Sequence, residues 1–201
     1  MSVLPVNGFF IQYKFIIPES VKHSSYTYQK LFRAIYGYTQ NVSKSNGKTY
    51  RYHRKGVLSD IPYIRPGKNC VIIPPSAFNK LVTFFKTGKN PTHAWEGKGD
   101  WKAVYYMDEK HLNEKEVVSA LESLIDRTYV FTKSKVPRQV DSALSELVDV
   151  EADTRDPLRQ SMLTEAEKIL NTSWFKESSL KSERLSSFYA SYKKISSQGK
   201  K

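Results

Sequence analysis

The stretch Phe9-Phe10-Ile11-Gln12-Tyr13-Lys14-Phe15-Ile16-Ile17, closed by Pro18, sets the fold class of this 201-residue chain. Phe9, Ile11, Tyr13, Phe15 and Ile17 alternate with Phe10, Gln12, Lys14 and Ile16, the period-two pattern of a strand with one well-buried face. The next segment changes period. Ser24 or Ser25 caps a helix running to about Tyr36, with Tyr28, Leu31, Phe32 and Ile35 on one side, and Gly37 is its stop.

Further along the pattern repeats. Asn46-Gly47 precedes a strand over residues 48–55, Gly56 turns the chain, and residues 57–64 return as a strand interrupted by Pro62. Pro66-Gly67 signals a turn and residues 69–73 an apolar strand. Pro74-Pro75-Ser76 opens a helix bearing Phe78, Leu81, Val82 and Phe85 that ends at Gly88. Residues 101–107 form a strand with Trp101, Ala103 and Tyr105 on one face. Asn113 and Glu116 have capping-box spacing ahead of a stripe of Val117, Ala120, Leu121 and Leu124. Residues 129–132 suit a last strand. Strand signals fade near Pro137, and helical patterns follow over 157–170 and 180–195. The expected fold is α+β: a small mixed or antiparallel sheet with two to three packed helices, followed by an α-helical C-terminal extension. The expected division is a basic, aromatic α+β domain over 1–136, then an acidic linker and helices over 137–201.

Charge is unevenly distributed. Residues 1–100 hold 15 Lys and Arg against 4 Asp and Glu, so nearly the whole net charge of +12 sits in that half, with 16 of the 26 aromatic residues. Such a surface attracts polyanions, and aromatic rings stack on unpaired bases. The densest segment, Lys44 to Lys68, has seven basic residues against Asp60 alone. On a strand over 48–55, Arg51, His53 and Lys55 share one face while Tyr50, Tyr52 and Arg54 share the other. The expected nucleic-acid contacts are Lys48, Arg51, Tyr52, Arg54, Lys55, Arg65 and Lys68, joined by Lys89, Trp95 and Lys98 from the loop after residue 88. A solvated edge strand would carry similar charge to suppress aggregation. No aromatic-glycine signature or Gly-x-x-Gly loop of the familiar RNA-binding modules occurs, so the signal is electrostatic. Single strands are slightly favoured by the aromatics.

Catalytic signals are sparse. The lone Cys70 excludes an internal disulfide and a multi-cysteine metal site, and its apolar setting suits a core residue. His23, His53, His93 and His111 lack metal-ligand spacing from one another, and no phosphate-binding glycine loop or nucleophile elbow is present. No catalytic residue, metal or cofactor is therefore assigned. Glu96 with Asp100, or His53 with Tyr50 or Lys55, would be the pieces of a small nuclease, the enzymatic alternative. A scaffold whose basic half meets an acidic protein is the third class.

In the tail, Ser182-Glu183-Arg184-Leu185-Ser186-Ser187-Phe188-Tyr189 resembles the peptide by which replication proteins bind a sliding clamp, departing where the motif prefers Gln and this chain has Ser182. The resemblance implies Leu185, Phe188 and Tyr189 as contacts for a protein partner. The same spacing, extended to Tyr192, fits an amphipathic helical stripe. Residues 141–156 carry six acids against Arg155, which suits a solvated linker or a competitor for the basic half. The start of the chain lacks a basic leader, and no apolar run approaches the roughly 18 residues of a membrane span. The expectation is an intracellular protein of a reducing compartment, cytoplasmic or at the nucleoid or nucleus, without membrane contact.

Overall fold

The computed structural model describes residues 6–91, 99–131, 137–148, 156–178 and 181–198. The chain divides into two compact units, residues 9–59 with 65–109, and residues 1–8 with 60–64 and 110–201. The first carries 16 Lys and Arg against 5 Asp and Glu, a net of +11, and is called the basic unit below. Residues 110–136, on the N-terminal side of the composition change at Pro137, share the second, helical unit with the C-terminal helices.

The basic unit takes β1 (Val6–Ile16) from Phe9 onward, which leads to α1 (Tyr26–Tyr36), then to a hairpin of β2 (Tyr38–Ser43) and β3 (Thr49–Arg54). β4 (Ile64–Gly67, from Arg65), β5 (Cys70–Ile73), α2 (Phe78–Thr87) and β6 (Lys102–Leu112, as far as Glu109) complete it. The main sheet is antiparallel with the order β4-β5-β1-β6. β5 lies between β1 and β4, so the β1-α1-β4 crossover is split by a strand, and α2 makes the second crossover from β5 to β6. This β-α-β-β-α-β connectivity is that of a split β-α-β unit. The hairpin β2–β3 is an insertion in its first crossover.

The alternation in β1 supplies the core. Ile11, Tyr13 and Phe15 are buried, while Gln12, Lys14 and Ile16 on the opposite face are exposed. Both helices cover the buried face: the Phe15 ring lies 5.5 Å from Phe32 of α1, 6.1 Å from Phe85 of α2 and 5.5 Å from Trp101. Ser25 caps α1 through its hydroxyl, and Gly88 closes α2 in the left-handed conformation.

Three expectations are corrected. Residues 57–60 form a turn, not a returning strand, because Val57 and Leu58 donate their N–H groups to Ala34 O and Ile35 O (both 2.8 Å) and so satisfy the end of α1. Pro66-Gly67 ends β4, and the turn lies at Lys68-Asn69, where Asn69 takes a φ of 60°. The chain near Pro137 is a strand: β8 (Pro137–Gln139) pairs antiparallel with β7 (Tyr129–Phe131).

The helical unit contains α3 (Glu114–Arg127), α4 (Val140–Leu147), α5 (Pro157–Leu170), α6 (Ser173–Ser178) and α7 (Glu183–Ser197). The capping box of Asn113 and Glu116 opens α3. Trp174 of α6 is completely buried, and its indole N–H donates to Asn7 O at 3.0 Å. Several acids of the 141–156 run are used inside this unit: Asp141 accepts from Arg184, Glu146 pairs with Arg138, and Asp156 caps α5. Among the described residues no helix is long and apolar enough to cross a membrane.

Candidate nucleic-acid interface

The inserted hairpin is a two-stranded ribbon of six paired rungs, from Tyr38 opposite Arg54 to Ser43 opposite Thr49. At the usual rise this is roughly 20 Å of arm. Its tip is dictated locally. Gly47 donates to Lys44 O at 3.0 Å, Lys44 donates to Lys48 O at 2.9 Å, and Gly47 has a φ of 74°, so Asn46-Gly47 makes a tight loop with glycine at the left-handed position.

The base is dictated by two glycines in contact. A Cβ on Gly56 would lie 2.3 Å from Gly37 N, and one on Gly37 would lie 2.6 Å from Arg54 O. Only residues without side chains let the two strands leave α1 at this neck. Ser59 braces it, accepting from Gly56 N–H at 2.7 Å.

Between tip and base the arm has no buried side. From Thr39 to Lys55 only Val42 and His53 are half-buried, and every other residue is exposed. No acid occurs between Glu19 and Asp60, so Lys44, Lys48, Arg51, Arg54 and Lys55 project without a carboxylate of their own segment. The register sorts the two faces. One carries Tyr38 with Arg54, Gln40 with Tyr52, and Val42 with Tyr50; the other carries Thr39 with His53, Asn41 with Arg51, and Ser43 with Thr49.

The first face is a row of rings, each with a cation. Arg33 lies 4.9 Å from the Tyr38 ring, Arg54 5.5 Å from Tyr52, and Lys44 4.8 Å from Tyr50. Each contact contributes about 0.5–1 kcal/mol at an exposed site and holds its cation along the ribbon. The second face is polar, with Thr39 Oγ1 3.1 Å from His53 Nδ1 and Ser43 Oγ 3.0 Å from Thr49 Oγ1. Burial and the neighbouring Arg51 charge lower the His53 pKa below its ordinary value. His53 therefore stands on the opposite face from Tyr50, and Lys55 continues its own face.

The remaining expected contacts fall at different places. Arg65 of β4 stacks 4.2 Å over Tyr36, at the end of α1 beside the neck, and Tyr36 OH is 2.9 Å from Tyr13 OH. Burial, followed by Tyr36, raises the Tyr13 pKa. Arg65 thus joins the arm's base to the core. Lys68 is exposed in the β4–β5 turn, and Lys89 is exposed after Gly88. Trp95, Lys98, His93 and Glu96 lie outside the described residues, while Trp101 is a core residue packed on Phe84 at 5.5 Å. Among the described residues no group of three or more His, Cys, Asp or Glu is arranged to hold a metal ion. In the tail, Leu185 and Phe188 are buried, with Phe188 6.2 Å from Phe175, so both side chains serve the helical unit's own core, and Tyr189 is half-buried.

Strand β2, with Tyr38, and the cation Arg33 belong to this surface although they lie outside the segment Lys44 to Lys68, and Lys44 joins them through the Tyr50 ring. The signal present was Asn46-Gly47 with strand-forming residues on both sides, the mark of a hairpin. Compared with known proteins, the chain matches no family model, no curated protein and no solved structure.

Proposed function

We propose that this protein binds nucleic acid without catalysis, through the β2–β3 arm, as a subunit of a larger nucleoprotein, replication, repair or RNA-processing assembly. The carrying observation is an exposed ribbon with five cations, no acid, and tyrosine rings each beside a cation. A ribbon of this kind has no core to build, so its composition answers to something outside the fold. Arg51, Arg54, Lys55 and Lys48 bind phosphates, and Lys44 and Arg65 add to the same field. Tyr52 and Tyr50 stack on bases, with the neighbouring cation meeting that nucleotide's phosphate. Single strands use the rings best, since bases of a duplex are already stacked.

The test is fluorescence anisotropy with labelled single-stranded DNA, duplex DNA, single-stranded RNA and duplex RNA over a range of salt. Binding weakens steeply with salt, and Arg51→Ala or Arg54→Ala each lowers the log–log salt slope by about 0.7–0.9. Tyr52→Ala costs about 1–3 kcal/mol on single strands and much less on duplexes. Absence of binding to all four at low salt, or equal weakening by Lys176→Ala in the helical unit, would overturn the reading.

A further inference from the structure

β6 is the outermost of the described strands in the main sheet and is eleven residues long. Its middle, Val104-Tyr105-Tyr106-Met107, is apolar, with side chains 49%, 40%, 60% and 37% exposed. A long, exposed, apolar edge has unpaired N–H and C=O groups and pairs readily with another strand. The charges flanking this core specify which strand.

Two identical edges that pair antiparallel in a closed dimer are related by a twofold axis perpendicular to the sheet. One residue then sits opposite its own copy, and side chains keep their faces across the join. With Tyr105 on the axis, Lys102 falls opposite Asp108, Ala103 opposite Met107 and Val104 opposite Tyr106, each twice. Just beyond, Lys110 falls opposite Asp100. The pairs include opposite charges and an aromatic facing a β-branched residue, the favourable kinds of cross-strand neighbour. Moving the axis to Val104 sets Asp100 against Asp108, and moving it to Tyr106 sets Lys102 against Lys110, like charges in both cases. Tyr105 also has a fixed base, with its ring 5.6 Å from Phe85 and 6.1 Å from Phe78.

We propose that the protein is a homodimer in which β6 pairs antiparallel with β6 of a second copy, centred on Tyr105, giving one continuous eight-stranded sheet. Sedimentation velocity of the full chain over a concentration series, after nuclease treatment and a high-salt wash to remove bridging nucleic acid, tests it. The wild type dimerises. Lys102→Glu and Asp108→Lys each raise the dimer dissociation constant about tenfold or more, because each turns two attractive pairs into two repulsive ones. The doubly reversed Lys102→Glu/Asp108→Lys chain recovers the dimer, and circular dichroism verifies that all three variants are folded. A wild type that is monomeric throughout, a dimer indifferent to the single reversals, or a double reversal without recovery overturns the proposal.

Discussion

Replacing Gly56 by alanine acts on the neck that carries the arm. The added methyl group would lie 2.3 Å from Gly37 N, 2.6 Å from Ile35 O and 2.7 Å from Ile35 C. All three are backbone atoms, so no change of rotamer relieves the overlap, and the neck must open by about 1 Å to reach ordinary contact. Three hydrogen bonds run through that place: Val57 N–H to Ala34 O at 2.8 Å, Leu58 N–H to Ile35 O at 2.8 Å and Gly56 N–H to Ser59 Oγ at 2.7 Å. Weakening them at about 1 kcal/mol each, with about 1–3 kcal/mol of overpacking, costs roughly 4 kcal/mol or more. Gly47→Ala is the matched control. Its Cβ would meet nothing within 4 Å, so only the left-handed φ of 74° is penalised, by about 1–2 kcal/mol. Urea denaturation followed by circular dichroism measures both. A Gly56→Ala protein within about 1 kcal/mol of wild type, or one no less stable than Gly47→Ala, would refute the reasoning that close backbone approach defines the neck.

Two more outcomes follow from side chains already placed. Trp174→Ala empties the most voluminous fully buried site among the described residues and removes the indole's hydrogen bond to Asn7 O, so it should cost about 3–5 kcal/mol, whereas Trp174→Phe should cost appreciably less; calorimetry of the two variants checks the order. His53 has a folded-state pKa below the ordinary 6.5, so the unfolded chain takes up the proton first, and this group lowers stability as pH falls below about 6.5 and contributes nothing above it. An NMR titration should find the ring midpoint below 6.5 and moved upward by bound nucleic acid, while a midpoint above 6.5 in the free protein would contradict the packing described.

Elements with punctuation in their own residues were legible. Ser25 and Gly37 bound α1, Asn113 and Glu116 open α3, and the alternation of Phe9 to Phe15 runs through β1. Elements whose reason lies elsewhere in the chain were not. β2 has exposed residues on both faces, so no hydrophobic period reveals it, and only pairing with β3 makes it a strand. Residues 57 and 58 are apolar because they are buried at the end of α1, which reads like a strand from sequence alone. α6 is six residues long, too short for a periodic stripe, and its Trp174 is recognisable as a core residue only beside Asn7, 167 positions away.

The same distinction runs through the candidate site. Composition placed the cations, the tyrosines and the charge asymmetry, since those need only counting, and alternation assigned Tyr50, Tyr52 and Arg54 to one face of β3. The sequence by itself also determined the α+β class and a tail rich in helix. Only the tertiary structure decided that the basic segment projects as a ribbon from two touching glycines, that Leu185 and Phe188 are interior, and that Trp101 is core. Those outcomes depend on which backbones approach closely and which surfaces become buried, and both are properties of residues far apart in the chain that meet only when it folds.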